Sequence, residues 1–209
     1  MITKNIIFDL GNVMVTLDVA GCFHNFMSLC PPDTSDMMLN PEFNKLIHLY
    51  SIGGVSTEQF CEQIRQICRT KASDKEIVDA CNSMLVEIPD VKKEKLLELK
   101  AQGYRLFFLS NIVDCHWDLI AEKMLPYKGH KAEDFVDIAF LSQKMHLVKP
   151  DPRIYETVIK ESGINPAETL FIDDKPENCK AAEAFGIRTF NNANLDDWLK
   201  AEPWLDYQE

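Results

Sequence analysis

The sequence predicts a doubly wound, mostly parallel α/β sheet carrying an inserted α-helical cap. Short apolar runs that end in polar residues alternate with amphipathic stretches from Asp90 onward. That alternation implies right-handed crossovers and a parallel sheet with helices on both faces. Between about Leu17 and Pro89 the apolar spacing is helical instead, with no convincing strand. A chain of 209 residues has room for a core domain and a smaller insert. The expected division is residues 1–16 and 90–209 for a Rossmann-like α/β core, and 17–89 for the cap.

Asn5-Ile6-Ile7-Phe8-Asp9 reads as a buried strand surfacing at its carboxyl end, and Gly11 and Asn12 supply the turn beyond it. In the cap, Phe43, Leu46, Ile47 and Tyr50 fall at helical spacing. So do Phe60, Ile64, Ile67 and Cys68, and then Ile77, Val78, Cys81 and Leu85. Gly53-Gly54 breaks one helix, and Ser56 or Thr57 caps the next. Asp90 is placed as the N-cap of a helix that turns Leu96, Leu97 and Leu99 inward and ends at Gly103. Arg105-Leu106-Phe107-Phe108-Leu109 reads as a strand covered on both faces. A helix through Trp117, Ile120 and Met124 stops at Pro126, and Ile138 to Leu141 is a further strand. Asp151-Pro152 opens a helix that Gly163 closes. Thr169 to Asp173 is a strand, Glu177 to Phe185 a helix, Ile187 to Phe190 the last strand, and Leu195 to Trp204 a terminal helix.

A net charge of -11 argues against a nucleic-acid partner. It leaves an anionic substrate open, because a local cation can reverse the potential inside a pocket. No apolar run approaches the roughly 18 residues of a membrane span and no charged leader precedes one, so no membrane association and a cytoplasmic location are expected. No feature points to an obligate protein partner. The seven cysteines are scattered and contain no CxxC pair, so neither a zinc cluster nor a disulfide framework is expected. Cys61 and Cys68 are expected as small apolar core residues.

The polar residues at the strand ends carry the chemistry. Asp9 follows the first strand, Ser110-Asn111 the second and Asp173-Asp174 a later one, while Lys149-Pro150 precedes a helix. In an open α/β sheet, ligands bind in the crevice beyond the carboxyl ends of the strands. Singly, each has a plain reading: a turn cap, an ordinary turn, a helix cap, a solvated lysine. Together they place three carboxylates at one edge, which cannot all stay ionised and unpaired. A hard divalent ion with oxygen ligands, Mg²⁺, is the simplest compensation. Lys149 and the Ser110 hydroxyl add an anion site, and the whole describes a phosphoryl pocket in which a carboxylate attacks.

The chain resembles the haloacid dehalogenase-like hydrolase superfamily in Phe8-Asp9-Leu10-Gly11-Asn12-Val13, Leu109-Ser110-Asn111, Lys149-Pro150-Asp151-Pro152-Arg153-Ile154-Tyr155 and Phe171-Ile172-Asp173-Asp174-Lys175-Pro176-Glu177-Asn178. Gly54-Val55-Ser56-Thr57-Glu58-Gln59-Phe60 is similar to its branch with a helical cap. Within that branch, Asp-Leu-Gly-Asn-Val resembles bacterial sugar phosphatases of the glucose-1-phosphate phosphatase type. The resemblance implies a Mg²⁺-dependent phosphatase of a small phosphorylated metabolite, a sugar phosphate. It makes Asp9 the nucleophile, forming an aspartyl-phosphate, and also a metal ligand. The Gly11 carbonyl would be a second ligand and Asp174 a third, with Asp173 in the outer shell or acting through water. Ser110 and Lys149 would hold phosphate, with Asn111 an adjacent donor.

One position departs from that pattern. Most phosphatases of the superfamily carry a second Asp two residues after the nucleophile, as general acid/base, and here that residue is Gly11. Such a group contributes about 10²–10⁴-fold, or about 3–5 kcal/mol. Either the leaving group needs little protonation, or another group such as Asp18 or His24 supplies the proton. A metal-free 2-haloacid dehalogenase and a non-catalytic phosphate- or metabolite-binding module remain alternatives. Phe23, His24, Phe43 and His48 are candidates for the cap wall of the pocket, with hinges near Thr16–Asp18 and Pro89.

Overall fold

The computed structural model describes residues 2–32, 34 and 40–205. Among the described residues there are seven strands: β1 (Asn5–Phe8), β2 (Thr16–Leu17), β3 (Leu85–Glu87), β4 (Arg105–Ser110), β5 (Ile138–Leu141), β6 (Thr169–Asp173) and β7 (Arg188–Asn191). Five of them form one sheet in the order β5-β4-β1-β6-β7, with every pair parallel. The first strand is therefore central, and Ile7 lies opposite both Phe107 and Phe171. Strand order reverses across β1, which puts the ligand crevice at its carboxyl end.

Side chains alternate across the sheet as a period of two requires. Ile6 and Phe8 pack with Leu96, Leu99 and Trp198 on one face, while Ile7 packs with Leu109, Ile154 and Phe171 on the other. The first face is covered by α5 (Asp90–Ala101) and α11 (Asp197–Ala201), among others, and the second by α9 (Pro152–Ser162) and α10 (Pro176–Glu183). Between β1 and β4 lie α1 (Val19–Ser28), α2 (Pro41–Ser51), α3 (Thr57–Cys68) and α4 (Asp74–Asn82). These bury their own apolar cluster around Phe26, Leu46, Tyr50, Phe60 and Ile77, with Cys61 and Cys68 fully buried inside it. Reciprocal capping boxes start two of these helices, Ser56 with Gln59 and Ser73 with Glu76. Ser56, rather than Thr57, is thus the cap.

The structure differs from the sequence reading in its shortest pieces. The helical insert begins and ends in an antiparallel pair, β2 with β3, that matches Thr16 to Glu87 and Leu17 to Leu85. Strands of two and three residues are too short to show a period. Asp90 lies in the first turn of α5 and Pro89 takes the cap position, with no side-chain hydrogen bond there. The helix after β4 is α6 (Asp114–Leu119), continued by a π turn over Ile120–Met124. Two single turns, α7 (Ala132–Phe135) and α8 (Ser142–Met145), are likewise too short to read from spacing.

One buried cation fixes the turn beyond β1. Lys92 is 0% exposed, and its Nζ donates to the carbonyls of Val13 at 2.6 Å and Leu195 at 2.9 Å. Trp198 Nε1 donates to the same Val13 carbonyl at 3.1 Å. The turn that carries Gly11 is thereby tied to α5 and α11. Lys92→Met fills similar space without these bonds, and is expected to destabilise the protein by about 1–3 kcal/mol. Urea unfolding of both proteins measures this, and an unchanged midpoint would show that the anchor is dispensable.

Candidate active site

The sheet order brings the separated polar residues together. Lys149 Nζ lies 2.8 Å from Asp9 Oδ1 and 2.6 Å from Asp173 Oδ2. It also donates to the Leu109 carbonyl at 2.8 Å. All three charged side chains are buried, Asp173 completely. Asn111 holds the lysine's backbone from both sides: its Nδ2 donates to Lys149 O at 2.9 Å, and its Oδ1 accepts from Lys149 N at 2.8 Å. The Asn111 side chain is therefore committed to positioning Lys149, which bears on its expected role as a phosphate donor.

Asp173 and Asp174 divide their work. Asp173 Oδ1 accepts from Lys175 N and Asn178 Nδ2, both at 2.9 Å, and Oδ2 meets Lys149. Its carboxylate is saturated by protein donors. Asp174 is only partly buried and lines the cavity. Its Oδ2 accepts from Asn12 Nδ2 at 3.2 Å, where Asn12 adopts a left-handed φ of 53°. Asn192 in turn donates to the Asn12 carbonyl at 2.9 Å.

A cavity of about 200 Å³ opens in front of these groups, lined by Asp9, Gly11, Ser110, Lys149 and Asp174, with Leu17 and Val19 at its rim. Carboxylate oxygens of Asp9, Asp173 and Asp174 lie within 4.8 Å of one another. Against them stands one buried ammonium, which leaves two negative charges uncompensated. No described backbone hydrogen bond ends on the Gly11 carbonyl. This oxygen-rich donor set, with its charge deficit, fits a hard divalent cation such as Mg²⁺.

The electrostatics follow from burial. Desolvation raises the Asp9 carboxyl, Lys149 pulls it down and Asp173 pushes it up, leaving it above the ordinary carboxylate range. Desolvation works against the Lys149 ammonium, but the two carboxylates overcome it and hold it above the usual lysine value.

Other sequence candidates lie elsewhere. Asp18 caps α1, accepting from Gly21 N at 2.8 Å, and His24 is exposed. Neither lines the cavity, nor do Phe23, Phe43 and His48. Phe43 is buried in the helical cluster against Phe26 instead. The cavity lining adds Asn12, Lys175 and Asn178. Their signal is proximity in the chain to Asp9 and Asp173-Asp174, Asn12 and Lys175 in the turns that leave those strands and Asn178 in the first turn of α10.

Residues 3–186 match the model of the haloacid dehalogenase-like hydrolase family. The chain is 27% identical over 195 residues to D-ribitol-5-phosphate phosphatase of Bacteroides thetaiotaomicron, covering 93% of this chain and 94% of that protein. A HAD family enzyme of the same organism has a crystal structure similar at a TM-score of 0.93 and 34% identity, covering 97% and 99% of the two chains. Its wild-type complex with magnesium and inorganic phosphate matches at a TM-score of 0.84 and 35% identity, over 90% and 93%. A HAD-like family hydrolase of Porphyromonas gingivalis matches at 0.88 and 30% identity over 100% of both chains.

The charge arrangement gives opposite expectations for two substitutions in metal-free protein. The Asp9 carboxyl binds its proton more tightly folded than unfolded, so its ionisation removes stability as pH rises through and above the ordinary carboxylate range. Asp9→Asn should therefore raise Tm at pH 8, while Lys149 keeps Asp173. Lys149→Met strands two buried carboxylates and should cost about 3–5 kcal/mol at pH 8, less at pH 5. Thermal unfolding at both pH values decides this. A pH-independent effect, or a lower Tm for Asp9→Asn, would contradict the assignment.

Proposed function

The chain belongs to the haloacid dehalogenase-like hydrolase family, and from that premise we propose that it is a Mg²⁺-dependent phosphatase of a small sugar or polyol phosphate. The observation that carries the reading is the convergence of Asp9, Lys149, Ser110 and Asp174 on one cavity of about 200 Å³. The relative that acts on D-ribitol 5-phosphate supports a polyol or sugar phosphate as substrate.

Asp9 is the nucleophile. Its carboxylate forms a bond to phosphorus while the bond to the leaving oxygen breaks, giving an aspartyl-phosphate. Lys149 and the Ser110 hydroxyl hold phosphoryl oxygens, and Asn111 keeps the lysine in place. Water then hydrolyses the acyl phosphate and returns Asp9. Asp9, Asp174 and the Gly11 carbonyl would hold the cation, with Asp173 behind them fixing Lys149. When bound, Mg²⁺ supplies positive charge to the phosphoryl oxygens. Residues 17–89 form a cap over the site, joined through the β2–β3 pair.

Gly11 leaves the leaving oxygen without a carboxylic acid. A Cβ built there would meet Leu17 Cδ1 at 3.0 Å, so Leu17 crowds the side-chain position. Beyond it, Gly11, Leu17, Ser110 and His116 border a further cavity of about 70 Å³. Burial lowers the His116 pKa, which keeps its imidazole neutral near pH 7 and a poor acid. Leaving groups of low pKa are therefore turned over fastest.

Two measurements test the function. Phosphate release from a panel of sugar, polyol, acyl and aryl phosphates is expected with Mg²⁺ and not with EDTA. Asp9→Asn should lower it by at least about 10³-fold. Turnover of every substrate at equal rates by both proteins would exclude the nucleophile, and none by wild type would favour a binding module. In the second, rates across leaving-group pKa should fall steeply for wild type. The Gly11→Asp/Leu17→Ala double variant should speed the slowest substrates by about 10²-fold or more. A flat wild-type dependence would mean that a proton donor is already in place.

A further inference from the structure

A second group of ligating atoms lies away from the carboxylates. Cys81 is in the last turn of α4, and Cys115 and His116 are in the first turn of α6. Sulfur and imidazole atoms of the three lie within 4.8 Å of one another. Cys81 Sγ is 3.3 Å from His116 Nε2. Both cysteines are buried. The phosphoryl chemistry above uses none of the three.

We propose that Cys81, Cys115 and His116 form a binding site for a thiophilic divalent cation of the zinc class, held between α4 and α6. The donor set selects that class. Two thiolates and an imidazole suit zinc and are poor ligands for magnesium, whereas the carboxylate cluster has the reverse preference.

The spacing fits. Metal–sulfur and metal–nitrogen distances of about 2.3 and 2.0 Å in a tetrahedral site put ligand atoms about 3.5–3.8 Å apart. The observed 3.3 Å contact and the 4.8 Å limit bracket those values. Closing the shell needs shifts of about 1 Å or less. The Cys115 backbone is already pinned, since its N–H donates to the Tyr50 hydroxyl at 3.2 Å, and that hydroxyl meets Thr57 Oγ1 at 2.8 Å.

The charge also balances. Binding deprotonates both thiols, so two protons leave as one dication enters and the loaded site is neutral with a neutral imidazole. Neutrality matters where the ligands are buried. His116 Nε2, now 3.0 Å from the Cys81 carbonyl oxygen, turns its lone pair to the metal and carries its ring proton on Nδ1. Three protein ligands leave a fourth position for a water or another small donor. Because α4 belongs to the helical insert and α6 follows the strand bearing Ser110, a bound cation crosslinks the two parts of the molecule.

The test is a Co²⁺ titration of the reduced full chain in excess Mg²⁺, which competes for the oxygen cluster. Wild type is expected to develop a thiolate-to-cobalt charge-transfer band and the strong visible bands of tetrahedral Co²⁺ at one equivalent, displaced by Zn²⁺. The carboxylate cluster contains no sulfur and cannot give the charge-transfer band. The Cys81→Ser/Cys115→Ser variant should lose it, and His116→Gln should weaken binding at least about tenfold. If the double variant does not fold, X-ray absorption of Zn²⁺-loaded wild type should count two sulfur neighbours. Absence of the band in wild type, its persistence in a folded double variant, or a shell of oxygen and nitrogen alone would overturn the proposal. These readouts do not depend on phosphatase activity, so they stand or fall separately from the proposed function.

Discussion

The buried ammonium of Lys149 is the interaction on which the rest of the structure depends. Asp9 and Asp173 end adjacent strands, and the parallel register leaves them no freedom to move apart. Two such carboxylates in a desolvated crevice would otherwise have to protonate or disrupt the sheet edge. Lys149 sets one ammonium against both carboxylates, and the Leu109 carbonyl takes another of its hydrogen bonds. The gain in stability from such a cluster is small, because desolvation offsets most of the attraction. What it secures is geometry: a carboxylate at a fixed place, facing a cavity. The supporting shell shows the same priority, with Asn111 holding the lysine backbone and Asn178 holding Asp173.

The helical insert rests on the segments of the core that follow β4 and β5. Cys115 N donates to the Tyr50 hydroxyl, Ser142 Oγ donates to Ser51 O at 2.6 Å, and His146 Nδ1 lies 2.8 Å from Ile52 O. Val113 and Cys115 belong to the same apolar cluster as the insert's helices. The small cavity beside Gly11 is thus built from both parts of the chain. Gly11 and Ser110 come from strand ends, Leu17, Met84 and Leu85 from the paired crossings, and His116 from α6. Residues near the first crossing serve structure there, as Asp18 does by capping α1.

The five strands of the main sheet, most of the helices and the polar residues at the strand ends could be read from the chain, because their signals are local. Ile6, Ile7 and Phe8 state a buried strand, Ser73 with Glu76 states a helix start, and Asp9, Ser110 and Asp173 follow strands whatever those strands pair with. The β2–β3 pair could not be read, since it is shorter than any period it might show. Asn111 could be placed beside the site but not given its partner. Its amide faces the backbone of a residue 38 positions away, and nothing in Ser110-Asn111 points there.

The sequence by itself determined which residues stand at strand ends and therefore that acids, a lysine and a hydroxyl were available for phosphoryl chemistry. Only the tertiary structure decided who meets whom. It divided the acidic pair into an Asp173 saturated by Lys149, Lys175 and Asn178 and an Asp174 open to the cavity. It brought Cys81 to Cys115 and His116 although no ligand spacing in the chain suggests it. The physical reason is that propensity, capping and burial period act over a few residues, whereas charge neutralisation and ligand geometry act through space. Strand order and helix packing convert the first into the second.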